Sequence, residues 1–103
     1  MPSTLNQAME AALLLVMIIG LLMLFSLTNT DNTTQTVDNL GRFIYAVMNT
    51  LAPTNPFEIV MEFVVATLGF VSLNRVNTRV GVLGAFFLYF LTSFLLAWIT
   101  APV

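Results

Sequence analysis

Apolar and polar residues separate along this chain into long apolar stretches and short polar connections, and the lengths of the stretches decide what they are. A helix rises about 1.5 Å per residue, so about 20 apolar residues cross the hydrocarbon core of a bilayer. Residues 80–100 (VGVLGAFFLYFLTSFLLAWIT) meet that length without one charge. Residues 56–73 (PFEIVMEFVVATLGFVSL) nearly meet it if their first turn lies at the interface. Between them Asn74-Arg75-Val76-Asn77-Thr78-Arg79 forms a short basic turn, so 56–100 reads as a membrane helical hairpin. Residues 8–27 (AMEAALLLVMIIGLLMLFSL) add a hydrophobic helix whose one charge, Glu10, stands near its start. No basic residue precedes it and no A-x-A site follows it, so it is expected to be retained rather than removed as a signal peptide.

The stretches between are polar or mixed. Residues 28–36 (TNTDNTTQT) have no apolar residue to bury and read as a loop, in which Asn32-Thr33-Thr34 matches the N-glycosylation pattern. An unmodified loop is the alternative, because a three-residue pattern is common. In residues 37–51, Val37, Leu40, Ile44, Val47, Met48 and Leu51 recur at steps of three and four. That period predicts an amphipathic helix, lying on the membrane or packed on the hairpin. Thr36 is its expected N-cap, and Asp38 with Arg42 makes an i,i+4 pair. Ala52-Pro53-Thr54-Asn55-Pro56 then breaks the helix, since proline cannot donate to the ladder. Asn55 is a favoured cap, Pro56 suits the first helical position, and Glu58 stands three beyond the cap as in a capping box. The expected fold is therefore all-α: one small integral membrane domain, 1–103, in which a hydrophobic helix and an amphipathic helix precede the hairpin.

Composition narrows what such a domain does. Of 103 residues, 58 % are hydrophobic and 8 % charged, against about 25 % charged in soluble domains. The chain has no His, Cys or Lys. This removes disulfides, thiolate nucleophiles, Cys/His metal sites, a His general base, Schiff-base chemistry and a P-loop lysine. No catalytic, cofactor-binding or metal-binding residue is expected, and the chain is not expected to be an enzyme. Positive residues near membrane segments mark the cytoplasmic side. Arg75 and Arg79 then lie inside, the 28–36 loop and the C-terminus outside, and Met1 inside, which makes three crossings.

Two further features bear on function. Glu62 is the most deeply placed ionisable group and shares a helix face with Glu58; an intramembrane carboxylate is a candidate proton or ion site. The alternative places Glu62 near the interface, or on a solvated or subunit-facing surface. Gly81, Ala85, Ser93 and Ala97 recur at multiples of four, a seam of small residues that lets helix backbones approach closely in lipid. Packing within the chain and packing between subunits both account for it. The opposite surfaces hold Phe86, Phe87, Tyr89, Phe90, Phe94 and Trp98 and are expected to meet lipid or further subunits.

The stretch Val37-Asp38-Asn39-Leu40-Gly41-Arg42-Phe43-Ile44, an apolar arm, a basic connection and a terminal apolar arm follow in an order that resembles the TrbC-like conjugative pilins of type IV secretion systems and the pilins of archaeal DNA-import pili. The resemblance covers residues 37–103, about two thirds of the chain. It implies a structural subunit that assembles with copies of itself and with phospholipid into a hollow helical pilus for DNA transfer or import. It further implies residence in the cytoplasmic membrane before export as an extracellular pilus. The basic turn would face the lumen, so Arg75 and Arg79 would line the path of single-stranded DNA; the alternative role for both is to set topology. The connection from Asn49 to Asn55 is longer than the family pattern.

A second resemblance, to the C-terminal half of the NuoJ subunit of the proton-pumping respiratory complex, rests on Leu40-Gly41-Arg42-Phe43-Ile44-Tyr45, Pro56-Phe57-Glu58 and Asn74-Arg75. It implies an accessory membrane subunit, although the register from Glu58 to Gly69 is shifted by a residue, which turns every later side chain by about 100°. The two apolar helices with an Asn/Thr-rich loop also resemble the capsid proteins of membrane-enveloped archaeal viruses.

Overall fold

The computed structural model describes residues 2–28 and 33–102 and is all-α. Its helices are α1 (Pro2–Thr28), α2 (Thr33–Leu51), α3 (Pro56–Leu73) and α4 (Thr78–Thr100). Three of them, α1, α3 and α4, are long and apolar enough to cross a membrane. The hairpin helices begin at asparagines held in extended backbone. The Asn55 Oδ1 accepts from the Phe57 N–H at 3.0 Å, and the Asn77 Oδ1 accepts from the Arg79 N–H at 2.9 Å. Each cap satisfies one of the N–H groups that a helix start leaves unpaired.

Two boundaries depart from the sequence expectation. The 28–36 loop is shorter, because α1 runs through Thr28 and Thr33 to Thr36 already belong to α2. Thr36 is therefore inside the helix and does not cap it. The low helix preference of threonine is a weak term that tertiary contacts override, and here Asn39 Nδ2 ties the start of α2 to the Leu27 carbonyl at 3.3 Å. The helix α1 starts at Pro2, well before residue 8, and proline suits a first position because its missing N–H has no helical partner there. Met1, the connection 29–32 with the Asn32 of the glycosylation pattern, and Val103 lie outside the described residues.

The central element is α4. It packs against α1, α2 and α3, whereas α3 packs against α4 alone. Close approaches fix the directions. Gly69 meets Leu88 and Gly84 meets Leu73, so α3 and α4 are antiparallel. Leu5 and Met9 share a groove with Val82 and Ala85, while Gly20 meets Phe94, so α1 runs parallel to α4. Arg42 reaches Trp98 and Asn49 reaches Ser93, which sets α2 antiparallel to both. One end of the bundle thus gathers the start of α1 and the α3–α4 turn. The other gathers α2, the start of α3 and the end of α4.

Val16, Ala46, Phe94, Ala97 and Trp98 form the buried core. Phe94 and Trp98 were expected on an outward surface; instead Phe94 is 0 % exposed. The reason is topological, since a helix covered on three sides has no broad outward face. Phe94 meets Phe43 edge-on at 6.0 Å and lies 5.9 Å from Trp98. A Cβ on Gly20 would stand 2.5 Å from the tip of the Phe94 ring, so only glycine admits that ring.

Of the two placements expected for α2, its apolar stripe does not take the one packed on the hairpin. Val37, Leu40, Ile44, Met48 and Leu51 of its apolar stripe are exposed. The side turned to the bundle holds Asn39, Arg42, Ala46, Asn49 and Thr50, of which Asn39, Ala46 and Thr50 are buried, together with Phe43 and the stripe residue Val47, which pack on the core. Arg42 does not pair with Asp38; its guanidinium donates to the Trp98 carbonyl at 2.7 Å, at the end of α4 where carbonyls lack helical partners. In water this orientation would be upside down. It suits surroundings as apolar as the stripe itself, where polar groups gain most by bonding to each other.

Candidate functional site

The start of α3 sets the register of the site. With Asn55 capping and Pro56 first, Glu58 and Glu62 fall one turn apart on the face toward α4. On α4, Tyr89 and Ser93 are likewise one turn apart. Asn49, near the end of α2, closes the cluster: its Nδ2 donates to Ser93 Oγ at 3.2 Å and lies 3.4 Å from Glu58 Oε2. Three helices thereby bring two carboxylates, two hydroxyls and an amide together inside the bundle.

Glu62 is 0 % exposed, so it lies neither on a solvated nor on a subunit-facing surface. The Ser93 and Tyr89 hydroxyls adjoin it, with Glu58 one turn away, yet neither carboxylate oxygen has a bond of hydrogen-bond geometry among the described residues. The Ser93 oxygen already accepts from Asn49, which leaves its own proton free to turn toward Glu62. The Tyr89 ring packs edge-on against Phe63 at 5.4 Å, which fixes its position beside α3. No group of three or more His, Cys, Asp or Glu with metal-binding arrangement occurs among the described residues.

The seam of small residues divides. Gly81 is buried against the α3–α4 turn, where a Cβ would stand 3.1 Å from the Asn74 Cα. Ser93 belongs to the polar cluster and Ala97 to the core. These three pack within the chain. Ala85 instead lines an open apolar groove of about 570 Å³ between α1 and α3, with Met9, Phe63, Phe70 and Phe86 among its walls.

Arg75 and Arg79 lie far from Glu62, at the opposite end, and both are exposed. Arg75 sits on the turn, and Arg79 is in the first turn of α4, flanking a hollow shared with Gln7 and Ala8 of α1. A cation in a first helical turn opposes the helix dipole, at a cost of a few tenths of a kcal/mol. The local rule is broken there without a bond that compensates it among the described residues.

Sequence reasoning reached Glu58 and Glu62 as a pair, and Ser93 in the small-residue seam, but missed Asn49, which bonds Glu58 and Ser93. The signal was a second stripe in α2, Asn39, Arg42, Ala46, Asn49, at the same three- and four-residue steps as the apolar one. No protein-family model, no characterised protein and no solved structure matches the chain.

Proposed function

We propose that this chain is a structural subunit of the cytoplasmic membrane that assembles with copies of itself, and with phospholipid, into a hollow pilin-like filament for DNA transfer or import. The observation that carries the reading is the pair Arg75 and Arg79, both exposed, one on the α3–α4 turn and one in the first turn of α4, with no ion pair to an acid among the described residues. Duplex DNA carries one negative charge per about 1.7 Å of axis, so stacked rings of such turns would neutralise a strand in transit. Apolar side chains such as Leu22, Phe25, Phe57 and Leu68 point outward from α1 and α3, which suits burial against neighbouring copies and lipid tails. The absence of Lys, His and Cys fits a structural role.

Imaging of the native assembly by negative stain, with mass spectrometry of its chains, tests this. A filament of constant diameter built of this chain is the expected result, and in it Arg75→Gln with Arg79→Gln lowers DNA transfer while filaments still form. A compact particle of several unlike chains overturns it. That outcome would favour the second reading, an accessory subunit of a proton-pumping membrane complex, for which the enclosure of Glu62 is the supporting observation.

A further inference from the structure

Charge balance inside the bundle singles out one group. The chain has three cations, all arginine. Arg75 and Arg79 are at the far end, and Arg42 donates to the Trp98 carbonyl. None of them serves Glu62. Against the faces of α3, the one helix that packs is α4, whose titratable group there is Tyr89; α3 itself adds Glu58, and α2 adds the neutral Asn49 at the cluster's edge. Every ionisable neighbour of Glu62 is therefore neutral or negative. An unpaired charge in such a setting is strongly disfavoured, and a bound proton removes it.

The surrounding groups also give that proton a route. Glu58 is half-buried at the start of α3, one turn nearer the end of the bundle than Glu62. Asn49 bridges Glu58 and Ser93, and the Ser93 hydroxyl adjoins Glu62. On the inner side stands Tyr89, which lines the apolar groove and offers no exit to water at that depth. The polar side of the cluster thus faces the α2 end, and its apolar side faces the groove.

We propose that Glu62 is an exchangeable proton-binding site inside the bundle, loaded and unloaded from the α2 end through Glu58 and Ser93. The site belongs to the single chain, so its test is independent of whether the chain forms filaments.

The experiment uses the purified full chain in phosphatidylcholine vesicles. Dicyclohexylcarbodiimide, an apolar reagent that adds whole to a protonated carboxyl, is applied across a pH series and the adduct is located by mass spectrometry. The adduct is expected on Glu62, falling about tenfold per pH unit once the carboxyl loses its proton. Glu62→Gln, which keeps shape and removes the charge, is expected to fold as well as the parent and to abolish both the adduct and the pH-dependent carboxyl band in the infrared. Glu58→Gln is expected to keep the adduct and slow the appearance of that band after a pH jump by tenfold or more. No adduct on Glu62 in the folded chain at any pH overturns the proposal. So does a Glu62→Gln chain that loses its fold, since a partnered carboxylate would then be the native state. Protection by sodium chloride at fixed pH, absent with choline chloride, also overturns it in favour of a metal-cation site.

Discussion

The two ends of the bundle hold their helices together by different means. At the arginine end, Gly81, Gly84 and Gly69 let backbones and leucine side chains close up, and the charges point away from the protein. At the other end, side chains from α2 reach carbonyls and hydroxyls on its neighbours: Asn39 to Leu27, Arg42 to Trp98, Asn49 to Ser93. Between apolar helices in an apolar solvent there is little hydrophobic drive, so association rests on close packing and on hydrogen bonds. One end uses the first and the other uses both. The difference explains why a helix as polar as α2 belongs to the bundle at all.

The largest expected effect tests how rigid each end is with one kind of change. Gly20→Ala pushes a methyl into the Phe94 ring, which Phe43, Trp98 and the α1 backbone enclose. Overpacking of an enclosed ring costs about 1–3 kcal/mol, and the better helix preference of alanine returns up to about 1. A net loss of about 1–2 kcal/mol is expected, read from unfolding in mixed micelles with increasing dodecyl sulfate. Gly84→Ala meets only the end of the Leu73 side chain, which is half-exposed and free to rotate. That variant should be neutral or slightly more stable. Equal losses at both sites would end the contrast between a tightly enclosed end and an adaptable one.

A smaller effect isolates the hydrogen-bonded end. Arg42→Met keeps much of the length of the side chain and removes the bond to the Trp98 carbonyl. Bonds to charged groups contribute about 1.5–3 kcal/mol, less the cost of desolvating the guanidinium, so a loss of about 1 kcal/mol is expected in the same titration. Arg42→Lys should recover part of it. A variant as stable as the parent would mean that α2 is held by its apolar contacts with Phe94 and not by its polar face.

Much of this architecture was legible in the sequence because hydropathy and caps are local. The spans, the break at Pro53 and Pro56, and the Asn55 cap follow from residues within a turn of each other. The direction in which a helix faces does not. The stripe Val37, Leu40, Ile44, Met48 marks an apolar side equally well whether that side meets a core or lipid, so periodicity alone left both placements open. The site shows the same limit. Glu58 and Glu62 were visible as a pair on one face, but their enclosure depends on Asn49, which is distant in sequence and enters only once α2 turns its polar side inward. Phe94 and Trp98 were misplaced for a related reason, since the burial of α4 on three sides depends on where α1 and α2 dock.

The finest test of the comparison asks what the outer face of α2 touches. Met48 is exposed on that face, whereas Ala46, two residues earlier, is fully buried against the core. The protein has no cysteine, so a single introduced thiol is the only one to label. Met48→Cys changes a side chain that is 65 % exposed, and its effect on stability should stay within about 0.5 kcal/mol, as for substitutions away from packed contacts. In vesicles its thiol is expected to react with an apolar, membrane-permeant maleimide and resist a charged one, the pattern of a face turned to acyl chains. Ala46→Cys should resist both while the fold holds. If the charged maleimide labels Met48→Cys at the rate of a thiol in water, the stripe lies against solvent, and lipid cannot be what favours its outward orientation. The polar bonds of Asn39, Arg42 and Asn49, with the contacts of Phe43 and Val47 on the core, would then have to hold α2 in place against the exposure of its apolar side.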